Sequence, residues 1–142
     1  MYQKLSEQEV QRREKLAKLE ALGIDPYPAD EFKIDCSAED ILENYDKNKT
    51  LYKTVSIAGR IMRRNIMGKA SFAKLQDSSA RIQLYFNRDE ICPGEDKTLY
   101  NDVFKKLVDI GDIIGIKGYV FTTEVGEITI HVKEFVILTK SL

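Results

Sequence analysis

The sequence predicts a mainly β protein: a small closed barrel of five strands behind an N-terminal α-helical arm. Three observations carry that reading. From Thr54 onward apolar residues recur with period two, the signature of half-buried strands. Turn residues divide this pattern into five segments, with one helix-like stretch between the third and fourth. Ahead of Thr54 the pattern is helical, with Leu16, Leu19 and Leu22 recurring every three residues. The chain of 142 residues, 43% of them hydrophobic, therefore divides into an arm and linker over 1–53 and a barrel over 54–142.

The arm opens on Ser6-Glu7-Gln8-Glu9, a capping box whose side chains satisfy backbone N–H groups at a helix start. Leu5 and Val10 flank it at the spacing of a hydrophobic staple. Gly23 sits at a C-cap position, and Pro26 and Pro28 prevent continuation. Arg12, Arg13, Lys15 and Lys18 lie along this helix among Glu9, Glu14 and Glu20. By themselves they read as a solvated flank with salt bridges. From Asp25 to Thr50 the chain turns acidic, and Ser37 opens a second short helix to Tyr45 with Ile41, Leu42 and Tyr45 for contacts. The stretch reads as a linker that docks on another part of the protein.

Strand one is Thr54–Arg63, with Val55, Ile57 and Ile61 inward. Strand two is Ala70–Asp77, with Ala73 and Leu75 inward, followed by a turn over Asp77–Ala80. Strand three, Arg81–Asn87, points Ile82, Leu84 and Phe86 inward. A helix over Leu99–Val108 carries Val103, Phe104 and Leu107. Strand four is Ile113–Phe121, then a turn through Gly126, then strand five, Glu127–Leu138, with Ile128, Ile130 and Val132 inward. Five antiparallel strands with a helix between the third and fourth is the order of an OB-fold, a Greek-key barrel. Gly59, Gly115 and Gly118 fall inside strands, where a small barrel needs bends or close backbone approach.

The formal net charge is −1, which as an average argues against a basic nucleic-acid coat. The distribution argues the other way. Between Gly59 and Gln76 stand Arg60, Arg63, Arg64, Lys69 and Lys74 with no acidic residue among them. They surround the first loop and strand two, where OB-folds hold oligonucleotides. Strand parity adds the rest. Phe72, Lys74 and Gln76 point outward, and the turn sets them opposite Tyr85, Gln83 and Arg81. An outward Phe beside cations suits a stacked base; covering by the arm or by another subunit is the bland account of it. Gln83 can donate and accept on a base's Watson–Crick edge. Glu127 can accept from a base N–H such as uracil N3, or be a turn-flanking charge. His131 has the same outward parity and reads as a surface or packing residue.

Nothing enzymatic assembles. Cys36 and Cys92 are far apart, and one histidine cannot complete a zinc site of protein ligands. The pair fits free structural thiols in a reducing cytosol. Gly68-Lys69-Ala70-Ser71 imitates a phosphate loop but lacks the upstream glycine and leads into a strand. The charged N-terminus has no apolar signal region, and no apolar run has membrane-spanning length, so no membrane is expected.

Met67-Gly68-Lys69-Ala70-Ser71-Phe72, Leu75-Gln76-Asp77 and Arg81-Ile82-Gln83-Leu84-Tyr85 together resemble the N-terminal anticodon-binding domain of bacterial-type class II lysyl-tRNA synthetases. Gly111-Asp112-Ile113-Ile114-Gly115, Gly126-Glu127 with Ile130-His131, and Gly23-Ile24-Asp25-Pro26-Tyr27-Pro28 after a basic helix fit the same family. The resemblance covers essentially the whole chain. It implies a barrel that holds the uridine-rich anticodon of lysine tRNA. Phe72 would stack on a base, Gln83 and Glu127 would read uridine edges, and Arg64 would join them in base recognition. Arg60, Arg63, Lys69, Lys74, Arg81 and Tyr85 would support the RNA or hold its backbone, and Arg12, Arg13, Lys15 and Lys18 would lie along the tRNA. The family often has an arginine pair directly before Ile-Met-Gly; here Asn65 precedes Ile66, and Arg63 and Arg64 stand one place earlier.

The family's catalytic domain would follow Leu142. The chain is therefore expected to be a binding region without catalysis or cofactor, ATP and Mg²⁺ serving only that missing domain. The resemblance further implies a cytoplasmic, homodimeric parent. Two other readings stay open: a sequence-neutral single-strand binder, and a protein-docking module.

Overall fold

A computed structural model describes residues 32–139, together with Val10, Glu14, Lys15, Ala17, Lys18 and Ala21. Those six are helical. The expected capping box, the leucine stripe and the Gly23–Pro28 helix stop lie outside the described residues.

Helix α1, Ala38–Asn44, starts where Ser37 caps it, its side chain accepting from the Asp40 N–H at 3.1 Å. Glu39 and Asp40 in its first turn suit the positive end of the helix. A 3-10 turn, Lys49–Tyr52, leads into β1, Val55–Met67. Then come β2, Ala70–Gln76, β3, Arg81–Asn87, and the single turn α2, Arg88–Ile91. A π-helix over Leu99–Leu107 precedes β4, Ile113–Thr122, and β5, Ile128–Thr139.

The strands close into a barrel in the order β1-β2-β3-β5-β4. The expected β3 holds, and so do the inward residues expected of β1, β2, β3 and β5, Ile128 being only partly buried. Ile57, Ile61, Leu75, Ile82, Leu84, Phe86, Ile114, Ile116, Ile130 and Val132 are buried. One pairing departs from the all-antiparallel expectation: β3 and β5 run parallel, with Gln83 opposite Thr129 and Tyr85 opposite His131. Closure demands it, since β5 must seal the gap beside β3 after pairing antiparallel with β4.

Strand β1 is also longer than expected. It runs to Met67, so Arg64–Met67 is strand, and the connection to β2 shrinks to Gly68 and Lys69. Gly68 has φ +64°, and a positive φ at the first of two loop residues is a hairpin-turn conformation that favours glycine. The barrel closes tightly at Gly118, where a Cβ would stand 2.0 Å from the His131 carbonyl oxygen.

The π-helix plugs one end. Tyr100, Val103 and Phe104 are fully buried, and Phe104 stacks on Phe86 at 4.1 Å between ring centres. Its last turn is wound with an i→i+5 bond from the Val108 N–H to the Val103 carbonyl. Residues 32–52 complete the core from outside. Ala38, Ile41, Tyr45 and Tyr52 join the same buried cluster as the strands, while Leu42, an expected contact, is exposed. The Asp35 N–H donates to the Ser56 carbonyl and the Asp35 carboxylate accepts the Ser56 N–H, each at 2.9 Å, and Asp77 accepts the Ala38 N–H at 2.8 Å. The acidic linker thus docks on the barrel, and its core does not divide at residue 53.

Candidate nucleic-acid interface

The β2–β3 register sets Phe72 opposite Tyr85, Lys74 opposite Gln83, and Gln76 opposite Arg81. Partners across a ladder share a face, so the outward row is assembled as parity predicts. A groove of about 300 Å³ runs along it, lined by Arg63, Asn65, Phe72, Lys74, Gln83 and Glu127 together with Thr123 and Val125 of the β4–β5 loop. Phe72 is half-buried, its ring 5.2 Å from that of Tyr85.

The groove is acidic at one point only by virtue of Glu127, whose carboxylate is ion-paired with Lys74. Both side chains are partly exposed, which limits what the pair adds to stability. Gln83 donates through Nε2 to Thr129 Oγ1 at 3.2 Å. Arg63 is exposed and has no hydrogen bond or ion pair among the described residues. The loop tip Val125 is 89% exposed and overhangs the cavity.

Arg64, expected to read bases, faces elsewhere. Counting inward from Ile57 and Ile61 by strict alternation puts Arg63 inside and Arg64 outside. A β-bulge between Ile61 and Arg63 inverts that order. Arg63 falls opposite Lys74 on the groove face, and Arg64 opposite the buried Ala73. Arg64 Nη1 donates to the Phe104 carbonyl at 2.7 Å and also to that of Val108, capping the π-helix. Burial draws the Arg64 pKa down while Asp109 and Asp112 draw it up, the net being a lowering. Asn65 lies opposite Phe72 and lines the groove.

The remaining expected residues scatter. Arg60 Nη1 donates to the Gly111 carbonyl at 2.6 Å, and Arg81 Nε donates to Gln76 Oε1 at 3.2 Å. Lys69 is exposed at the hairpin turn. None of the three lines the groove. In the arm, Lys15 is ion-paired with Asp109, close to the π-helix, and Lys18 is exposed. Arg12 and Arg13 lie outside the described residues.

Parity carried along β4 finds further residues that the sequence reading passed over. Ile114, Ile116 and Val120 are buried, so Tyr119 and Phe121 point outward and meet His131 across the ladder. A second hollow of about 570 Å³ is lined by Phe72, Tyr85, Tyr119, Phe121, Val125 and His131. The His131 ring stacks on Tyr119 at 4.7 Å and its Nδ1 bonds the Tyr119 hydroxyl at 2.8 Å. Burial lowers the His131 pKa, with Lys133 adding to the effect and Glu90 opposing it. The packing role expected of it is what this geometry describes.

Other chemistry is limited. Among the described residues no three His, Cys, Asp or Glu side chains could hold a metal ion. Burial and the neighbouring Asp35 push the Cys36 thiol up to about 12, so it stays protonated at neutral pH. No helix among the described residues is long and apolar enough to cross a membrane.

A closed five-stranded barrel with an aromatic and amide groove on its β2–β3 face defines a nucleic-acid-binding module. The family model for the tRNA anti-codon group, described as an OB-fold nucleic acid binding domain, matches residues 55–138, and the chain belongs to that family. It is 59% identical over 140 residues to a lysine–tRNA ligase of Christiangramia forsetii, a match covering 99% of this chain and 24% of the relative. It is 56% identical over 139 residues to that of Porphyromonas gingivalis strain W83, covering 97% and 24%. To that of Enterobacter sp. strain 638 it is 47% identical over 136 residues, covering 92% and 26%. The chain spans about a quarter of the length of these curated relatives.

Proposed function

We propose that this chain is the anticodon-binding region of a lysine–tRNA ligase, and that its groove takes the uridine-rich anticodon loop of lysine tRNA. One arrangement supports this most. Phe72 offers a ring face while Gln83 and Glu127 stand beside it on the same outer face. A base stacked on Phe72 presents its edge to an amide and a carboxylate, and its phosphates to Arg63 and Lys74. Phosphate contacts give affinity, and edge contacts give preference. Arg60, Lys69 and Arg81, on or beside β1–β3, extend the positive field around the groove. On this reading ATP and Mg²⁺ serve the remainder of a longer enzyme, which works as a homodimer in the cytoplasm.

Titration of the full chain with a fluorescent lysine tRNA anticodon stem-loop tests the reading. Phe72→Ala is expected to weaken binding by ~1–3 kcal/mol, the worth of one base–aromatic stack. Unchanged affinity in that variant overturns the assignment of the site. Equal affinity of the unaltered chain for stem-loops of unrelated loop sequence overturns the anticodon reading in favour of a sequence-neutral binder. No binding to any RNA favours a docking module.

A further inference from the structure

Thr129 departs from the burial pattern of its own face. It alternates with Ile128 and Ile130 and so has the outward parity of Glu127 and His131, yet it is fully buried. The ladders set it between Gln83 of β3 and Phe121 of β4. Its hydroxyl donates to the Glu127 carbonyl at 3.1 Å and accepts from Gln83 Nε2 at 3.2 Å. A hydroxyl carries one proton. With that proton given to Glu127, Thr129 can only accept from Gln83, and the amide must turn its NH₂ end inward. Oε1 is then the end left for the groove.

Resting on the base-binding reading above, we infer that Thr129 is a positioning residue that sets the groove's preference for uracil over cytosine by fixing the orientation of the Gln83 amide. Uracil offers a ring N–H that an outward Oε1 accepts. Cytosine offers a bare ring nitrogen at that place, and two acceptors then face each other. The same hydroxyl is tied to the loop that carries Glu127. The Glu127 carbonyl also accepts from the Thr123 N–H at 3.0 Å, and the Glu127 N–H donates to Thr123 Oγ1 at 3.1 Å. Loop turn and amide orientation are therefore held by one connected set of bonds.

The test compares two stem-loops, one with an all-uridine anticodon and one with its central uridine replaced by cytidine, in titrations of the full chain. The unaltered chain is expected to prefer uridine by about tenfold, the size of one hydrogen bond's discrimination. In Thr129→Val the amide is released, and the preference should fall below about threefold with the uridine loop still bound. Thr129→Ser restores the hydroxyl and should restore the preference. An unchanged ratio in Thr129→Val overturns the inference, as does an equal loss for both loops, which marks a merely structural role. A preference lost in Thr129→Ser as well overturns it too. If the unaltered chain binds but shows no uridine preference, the base-reading assignment itself fails. Because Thr129→Val removes a buried hydroxyl and can impair folding, NMR of the unaltered chain gives a second check. The Gln83 side-chain amide protons should show contacts to the Thr129 side chain, and an amide with Oε1 toward Thr129 overturns the proposal.

Discussion

Arg63 and Arg64 are neighbours in sequence and live in different parts of the molecule. Arg64 belongs to the plugged end of the barrel, where its guanidinium is spent on the carbonyls of Phe104 and Val108. Arg63 belongs to the groove, where its charge faces solvent. The same contrast runs through both regions. Elsewhere in the scaffold too, polar groups are taken up by backbone: Asp77 accepts from Ala38, Ser79 and Ala80, and Asp35 from Ser56. In the groove, polar groups bind one another or a buried hydroxyl and keep capacity for a ligand. Cations that hold the fold and cations that can hold RNA are told apart by what they already bind, not by their type.

The sharpest way to break this comparison is Arg64→Ala. It removes a charged donor from two carbonyls at the end of the π-helix and is expected to destabilise the chain by about 2–4 kcal/mol in denaturant unfolding. RNA affinity of the folded fraction should hardly change. A stable variant with weakened RNA binding would return Arg64 to the groove.

Asp77 sharpens the same point at somewhat smaller magnitude. Burial favours its neutral form, but bonds from Ser79, Ala38 and Ala80 outweigh that and hold the carboxyl below its ordinary value of 3.8. A depressed carboxylate stabilises the fold above its unfolded pKa, and the contribution is lost as pH falls through the folded value. Asp77→Asn is expected to cost about 1–2 kcal/mol at neutral pH, within the range for a lost charged cap. It should also flatten the decline in stability below pH 4, measured by thermal unfolding across pH. An acid limb identical to that of the unaltered chain would show that Asp77 holds its proton equally in the folded and unfolded chain.

Phe72→Ala is the mirror test on the groove. Stability should move by less than ~1 kcal/mol, because the ring is only half-buried, while stem-loop binding weakens by ~1–3 kcal/mol. Unfolding and titration of one preparation check both halves. A large stability loss would place Phe72 with the core.

The sequence leads one to expect both arginines at the RNA, and only Arg63 lines the groove, because of what period two can carry. It locates inward residues well wherever a ladder is regular, so β2 and β3 were legible residue by residue, including the Phe72–Tyr85 and Lys74–Gln83 pairs. A bulge adds one residue and inverts every face beyond it, and the stretch Ile61-Met62-Arg63 carries no glycine or proline to mark one. The parallel β3–β5 pairing was hidden because alternation is the same in either direction. Helical spacing predicts a helix over Leu99–Val108 but not the π winding of Leu99–Leu107, whose last carbonyls Arg64 caps from another strand. The aromatic hollow of Tyr119, Phe121 and His131 was within reach of parity. Thr129 was not, since only tertiary structure shows that an outward threonine is covered.

Arg63→Ala is the smallest effect and the most direct probe of the contrast. Its guanidinium makes no hydrogen bond or ion pair among the described residues, so stability should stay within ~0.5 kcal/mol. One phosphate contact fewer should lower the slope of log affinity against log salt by about 0.7, the value for a single strand. Affinity for uridine and cytidine loops should fall together, because a backbone contact carries no sequence information. Arg64→Ala should leave that slope where it was. If the two variants lower it equally, both cations reach the RNA and the bulge does not divide their roles. If only Arg64→Ala lowers it, strict alternation described the bound state and the groove rearranges when RNA enters.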